Sequence, residues 1–276
     1  MLNSTVNPTR SYRLALVPLT LLIALGLAGP AIASSENLPK AEKILDGYTK
    51  ATGGKAAYEK VDNRVTHSTF ELIGQGIQAS LTIYNAKPNR MYTLLESDAL
   101  GKIEKGTDGD VVWELTTMTG PSIKEGQERA DVLREAILDK YVHWRKVYES
   151  VETVGTDEVD GRACFAVRVS PREGHPQTLC FDRESNLLVK VDAKMETAMG
   201  TIPVEAFPGD YREVGGILLP HETRIMVMGQ QRRITTQKIE QNAQLETDRF
   251  ELPSEIVALL EKEQAGSISE AASAED

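Results

Sequence analysis

The spacing of hydrophobic and polar positions changes along the chain, and each change predicts an element. From Pro39 to Ala51 the apolar residues Ala41, Ile44, Leu45 and Tyr48 share one face at helical spacing, and Gly53-Gly54 ends the run. A short helical turn is expected over Ala56–Lys60. The period then becomes two. Ile77, Ala79, Leu81 and Ile83 alternate with Gln78, Ser80, Thr82 and Tyr84, which is the pattern of a strand buried on one face. Arg64–Ile73 pairs with it across Gly74-Gln75-Gly76, and Lys87-Pro88-Asn89, Asp98–Gly101 and Asp108-Gly109 punctuate the strands that follow. A second helix is expected over Gln127–Lys140, with Leu133, Ala136, Ile137, Tyr141 and Trp144 at helical spacing. Alternation resumes near Tyr148–Val154 and runs, turn by turn, to Arg232–Gln241. A last helix is expected over Ser254–Lys262, after Pro253.

About eleven strands stand against only three amphipathic helices. Strands with one apolar and one polar face imply an antiparallel sheet wetted on one side. A sheet of that length must curl and cover its apolar face. The expected fold is therefore mainly β (α+β): a strongly curved antiparallel sheet with about three helices in its hollow. That hollow is either plain core or a pocket for an apolar ligand.

Before this domain lies an address. Arg10 and Arg13 precede the apolar run Leu14–Ala28, and Ala31-Ile32-Ala33 has the small-x-small pattern of a cleavage site. The run is shorter than the ~20 residues that span a bilayer. Residues 1–33 are thus expected to be a signal peptide, and the exported product to be a single soluble domain over 34–263. Residues 264–276, small, polar and acidic, are expected to be a disordered tail.

Composition narrows the function. With 31 Lys+Arg against 41 Asp+Glu, a formal net charge of -10 leaves no basic surface for nucleic acid. Cys164 and Cys180 sit on neighbouring strand-like segments, each opposite the apolar face carried by Phe165, Val167, Val169, Leu179 and Phe181. They bond if the strand register permits and stay free if it does not. Catalytic and metal motifs are missing: there is no G-x-S-x-G, H-E-x-x-H, C-x-x-C or P-loop, and the four histidines are scattered. No enzyme activity, metal or cofactor is expected.

One resemblance adds to this reading. Tyr48-Thr49-Lys50-Ala51-Thr52-Gly53-Gly54-Lys55-Ala56-Ala57, Asp108-Gly109 before Val112-Trp113, Met118-Thr119-Gly120-Pro121, Phe181-Asp182 with Leu187-Leu188-Val189-Lys190, Asp210-Tyr211-Arg212-Glu213-Val214 with Gly216-Ile217-Leu218-Leu219-Pro220, and Phe250-Glu251-Leu252-Pro253 are similar to stretches of the periplasmic outer-membrane lipoprotein-sorting proteins. Those proteins have the lipoprotein carrier fold of LolA and LolB, and this chain resembles a divergent branch. The resemblance implies an unclosed β-barrel under a helical lid, a periplasmic location, and acylated lipoprotein or other lipid as the ligand of a monomeric carrier. It also implies an inner-membrane release complex as donor and an outer-membrane receptor as acceptor. An arginine at the mouth corresponds to Arg64 or Arg90. On this reading Ile77, Leu81, Ile83, Met91, Trp113, Leu115, Phe165, Val191, Met195 and Ile225 line the hollow, and Leu133, Ile137, Tyr141 and Trp144 form the lid. The alternative is an envelope sensor or protein-interaction module that uses the same hollow without transport.

Overall fold

Alternating segments become strands wherever a neighbour can take up both their backbone groups and their apolar face. The computed structural model describes residues 38–197 and 200–273. Among these, thirteen strands are present: β1 (Asn63–Leu72), β2 (Ile77–Ala86), β3 (Arg90–Ser97), β4 (Gly101–Thr107), β5 (Val112–Thr116), β6 (Gly120–Lys124), β7 (Ser150–Val159), β8 (Arg162–Ser170), β9 (Gln177–Asp182), β10 (Leu188–Thr197), β11 (Gly200–Val214), β12 (Ile217–Val227) and β13 (Gln230–Gln241). Five helices join them: α1 (Ala41–Ala51), α2 (Lys55–Glu59), α3 (Gly126–Ala136), α4 (Trp144–Val147) and α5 (Ser254–Ser273). The expected signal peptide lies outside the described residues.

All thirteen strands form one antiparallel sheet in the order β6-β5-β4-β3-β2-β1-β13-β12-β11-β10-β9-β8-β7. Only the β1–β13 pairing joins distant parts of the sequence. The ends β6 and β7 do not pair, so the barrel is unclosed. Its curvature follows from what α3 touches. That helix packs on β3, β4 and β5 of one arm and also on β10 of the other. Five strands separate β3 from β10 in the sheet order, so the sheet has to wrap around the helix. Register breaks at His67/Ser68, Thr153/Gly155 and Leu188/Lys190 supply bulges of the kind that bend a sheet. The exposed rows of β6 and β7 are each flanked by a helix, α5 and α1 respectively.

The inner face carries the main core. Ala41, Ile44 and Leu45 of α1 pack with Trp144, Tyr148, Val167, Val169, Leu179, Phe181 and Leu188. A second cluster joins Tyr58, Val61, Leu138, Ile217 and Leu219. Gly53 connects the two regions: a Cβ at this position would lie 2.3 Å from the Gly216 carbonyl oxygen, and its φ of 127° is closed to other residues.

The structure corrects several expectations. The helix expected over Gln127–Lys140 stops at Ala136, and 137–143 is a chain of turns. Asp139 is left-handed there, with φ 56°, because its carboxylate is held by a strand residue. A tertiary ion pair thus overrides local helical spacing. The last helix, expected over Ser254–Lys262, continues to Ser273. The sheet is also not wetted along its whole outer face. Tyr84, Tyr92 and Trp113 lie there in one cross-strand row, with ring centroids 5.8 and 6.1 Å apart. The segment before α5 covers them, placing Arg249 over both tyrosine rings.

Cys164 and Cys180 are bonded. The register sets Cys164 opposite Asp182 and Cys180 opposite Ala166, so the bridge runs diagonally, with Cα atoms 5.6 Å apart. It lies in a small outer cluster with Val159, Ala166 and Val189.

Candidate functional site: a tyrosine-walled hollow under a pinned loop

Arg64 begins the inner face of β1, between Asn85 of β2 and Gln241 of β13. Its guanidinium donates two hydrogen bonds to the Asp139 carboxylate, at 2.9 and 3.2 Å. The two side chains are only 12% and 8% exposed. A bidentate pair at that depth fixes position as well as charge. It pins the 137–143 loop across the sheet. The loop is braced further where the Val142 and His143 amides donate to the Asp139 carbonyl.

Behind the loop is a cavity of about 330 Å³. Its wall includes Tyr48 of α1, Tyr58 of α2, Tyr141 of the loop and Tyr211 of β11, with Leu188, Val191, Ala206, Pro208 and Leu219. Burial raises all four phenols: Tyr58 to about 12, and Tyr48, Tyr141 and Tyr211 further still. They are therefore neutral at any physiological pH. Two of the hydroxyls have local partners. Tyr211 donates to the Leu188 carbonyl at 2.8 Å, and Tyr141 to Gln177 Oε1 at 3.3 Å. The wall is aromatic and uncharged apart from the pinned pair and the Glu135 and Lys140 side chains, which pair with each other at 2.6 Å. Such a surface suits an apolar guest and offers no nucleophile–base pair. Among the described residues, no group of three or more His, Cys, Asp or Glu side chains could hold a metal ion.

The residues named from sequence are distributed unevenly. Val191, Ile137 and Tyr141 line the cavity, together with Arg64. Ile225 shares the inner face with Val191 through Ala206, and Met195 lies further along it, 38% exposed near the strand end. Ile77, Leu81, Ile83 and Met91 share the inner face of the β2–β3 arm, but none borders this cavity. Phe165 packs against the α1 core. Trp113 and Leu115 belong elsewhere. Register places them on the outer face with Gly106, Tyr92 and Glu104, because β5 enters one residue out of phase with the apolar face of β2. Leu133 is partly buried on α3 and does not line the cavity. Trp144 is a fixture of the core: it is 7% exposed, donates to Asp46 at 3.2 Å, and lies under the Arg145 guanidinium at 4.0 Å. Of the two candidate arginines, Arg64 faces the hollow, whereas Arg90 is exposed and stacks on Phe250 at 5.0 Å. Tyr48, Tyr58 and Tyr211 escaped the sequence reading. The first two looked like ordinary helix-face residues, and Tyr211 follows Asp210, whose left-handed φ of 48° breaks the alternation.

No protein-family model matches the sequence, and no curated protein is significantly similar to it. Solved structures do share its fold. A DUF1329 family protein from Desulfovibrio piger ATCC 29098 aligns with a TM-score of 0.53 and 14% identity, over 76% of this chain and 97% of its own. A putative outer membrane lipoprotein-sorting protein domain from Vibrio parahaemolyticus aligns with a TM-score of 0.52 and 12% identity, over 76% and 97%. A LolA superfamily protein from Nitrosomonas europaea gives 0.50 and 8%, over 78% and 99%. The chain therefore has the LolA-like fold, in a form divergent from each of these proteins.

Proposed function

We propose that this protein is a periplasmic carrier that holds an acylated ligand, a lipoprotein or another lipid, in the hollow beneath the 137–143 loop. The observation that carries this reading is the buried Arg64–Asp139 pair, which pins an apolar loop over a tyrosine-lined cavity. A buried pair is an uneconomical way to stabilise a core, because desolvation offsets most of its attraction. It is a good way to define one of two positions for a movable segment. The cargo supplies the drive. Each buried methylene is worth ~0.8 kcal/mol, so one long acyl chain gains roughly 10 kcal/mol over water.

A membrane offers the same apolar surroundings, so a permanently open pocket would have little means of release. The loop answers this by competing for the hollow with its own Ile137, Leu138 and Val142. An export signal over 1–33 and an exchange between inner-membrane donor and outer-membrane acceptor complete the proposed cycle. Lipid mass spectrometry of protein purified from the envelope tests the carrier role: stoichiometric acyl material is expected, and a clean apo protein that accepts no acyl probe would refute it. Ile137→Asp tests the loop. It should change fluorescent acyl-probe binding while circular dichroism stays native, and unchanged binding would remove the loop from the mechanism.

A further inference from the structure

The 137–143 loop has a second side. Ile137, Leu138 and Val142, which close the inner cavity, also border a larger outer cavity of about 770 Å³. Its rim carries four cations, Lys55, Lys87, Arg145 and Lys146, against one acid, Glu59. That excess is local and runs against a chain whose formal net charge is -10. The rim is also incompletely neutralised. Lys55 meets Glu59 only at 3.6 Å with its side chain 72% exposed, and Lys87 meets the exposed Asp62 at 3.2 Å. Arg145 is committed to Asp46 by two bonds of 2.8 Å. Lys146 is exposed and makes no ion pair among the described residues. The field of this rim reaches His143 on the loop. Burial lowers its pKa first, against the pull of Asp139, and Lys146, Lys87 and Lys55 lower it further.

An acyl chain that displaced the loop would pass from the inner cavity into the outer one, and its polar end would lie among these lysines. We propose that the rim formed by Lys55, Lys87 and Lys146 receives an anionic, phosphate-bearing headgroup, so that the cargo is an anionic acylated lipid and not a neutral or zwitterionic one. This rests on the carrier reading above and specifies its substrate. Ammonium groups on long stems match a phosphate as point charges, and each Lys near an anionic headgroup contributes about 1 kcal/mol.

The test is displacement of a fluorescent fatty-acid probe from the full-length mature protein by short-chain lipids kept below their micelle concentration. Dioctanoyl phosphatidylglycerol should displace the probe at about tenfold lower concentration than dioctanoyl phosphatidylcholine. In the Lys55→Gln/Lys146→Gln double variant that ratio should fall toward one, and raised salt should lower it in the wild type. Equal displacement by the two lipids, or a preference untouched by the double variant, overturns the headgroup site while leaving the carrier intact. Displacement by inorganic phosphate at matched ionic strength would assign the rim to free phosphate and also overturn the proposal. A probe that does not bind at all overturns both readings. Circular dichroism and thermal melting of the double variant establish that it is folded, and both side chains are exposed enough for glutamine to replace them.

Discussion

The Arg64–Asp139 pair can be broken without disturbing the backbone, and the consequence can be sized. Asp139→Asn keeps the side-chain shape, and asparagine tolerates the left-handed φ of 56° that alanine would not. What changes is that Arg64 loses its counter-charge at a site where the pair is 12% and 8% exposed. Removing one partner of a fully buried pair costs about 3–5 kcal/mol. The residual exposure and the polar amide that remains bring this to about 2–3 kcal/mol. The loss falls first on the loop, because Asp139 is a loop residue whose carboxylate bonds Arg64 of β1. Opening of 137–143 should then be favoured by about 30- to 150-fold. Amide hydrogen exchange resolved by peptide is the assay. The Val142 and His143 amides, which donate to Asp139, should exchange faster by that factor, while amides of β8 and β9 keep wild-type rates. Acyl-probe affinity should rise in step, since less of the binding energy is spent on displacing the loop. Unchanged exchange in the loop would show that the pair does not pin it. Equal acceleration in β8 and β9 would show that it is ordinary core. Either result refutes the reasoning.

Other perturbations probe the scaffold. Replacing both Cys164 and Cys180 with alanine opens a loop spanning 16 residues and should cost about 3 kcal/mol, read as a lower urea midpoint; a loss under about 1 kcal/mol would mean that the native strands already supply the constraint. The Asp182 carboxylate, 4% exposed, is pushed up by burial but more strongly held down by the Ser185 and Glu184 amides, the Ser185 hydroxyl and Arg162, so its pKa lies below the ordinary value. Its stabilising effect is therefore complete above the usual aspartate range and is lost as pH falls through the lowered native value. Asp182→Asn should cost about 1.5–3 kcal/mol at pH 7 and less as the pH is lowered past 4, and a penalty independent of pH in melts from pH 7 to 2.5 would contradict this. Gly106→Ala would set a Cβ 2.6 Å from the Met91 carbonyl oxygen and 3.1 Å from the Trp113 ring. A loss of about 1–3 kcal/mol, at 2–4 °C of Tm per kcal/mol, should accompany a shift in tryptophan emission, and a neutral substitution would mean that the β3–β5 arm is looser than its register implies.

Period-two alternation made the strands legible, and the long-range result followed from it: so many one-faced strands with so few helices require a curled sheet. Alternation also placed Phe165, Val167 and Val169 on one face and both cysteines on the other, as found. It failed where phase is set by partners and not by sequence. Trp113 and Leu115 look like part of the β2 apolar face, yet β5 meets β4 with Trp113 against Gly106, on the outer side. The outer row made by Tyr84, Tyr92 and Trp113 is concealed because its cover, the segment before α5, comes from more than a hundred residues later. The loop was hidden for a similar reason. Leu133, Ile137, Tyr141 and Trp144 keep helical spacing, yet the helix ends at Ala136 and the distant Arg64 holds Asp139 in the turns beyond it.

Under the proposed carrier function, the Arg64–Asp139 latch has an energetic role in transport. The inner cavity, about 330 Å³, is at the small end of what ligand sites occupy, whereas the outer one is about 770 Å³, and the same three apolar side chains of the loop line both. Moving one loop thus joins two spaces, neither of which needs to be built by rearranging the sheet. Against roughly 10 kcal/mol gained from one acyl chain leaving water, a latch of 2–3 kcal/mol permits loading. Between carrier and membrane the comparison differs, because the chain is equally dry in both and its transfer contributes nearly nothing. The latch then becomes the largest difference between the loaded and empty carrier, and its re-formation favours release. A stronger pair would obstruct loading, and a weaker one would leave no bias toward delivery, so under the proposed carrier role a single buried arginine–aspartate contact has about the right strength for both.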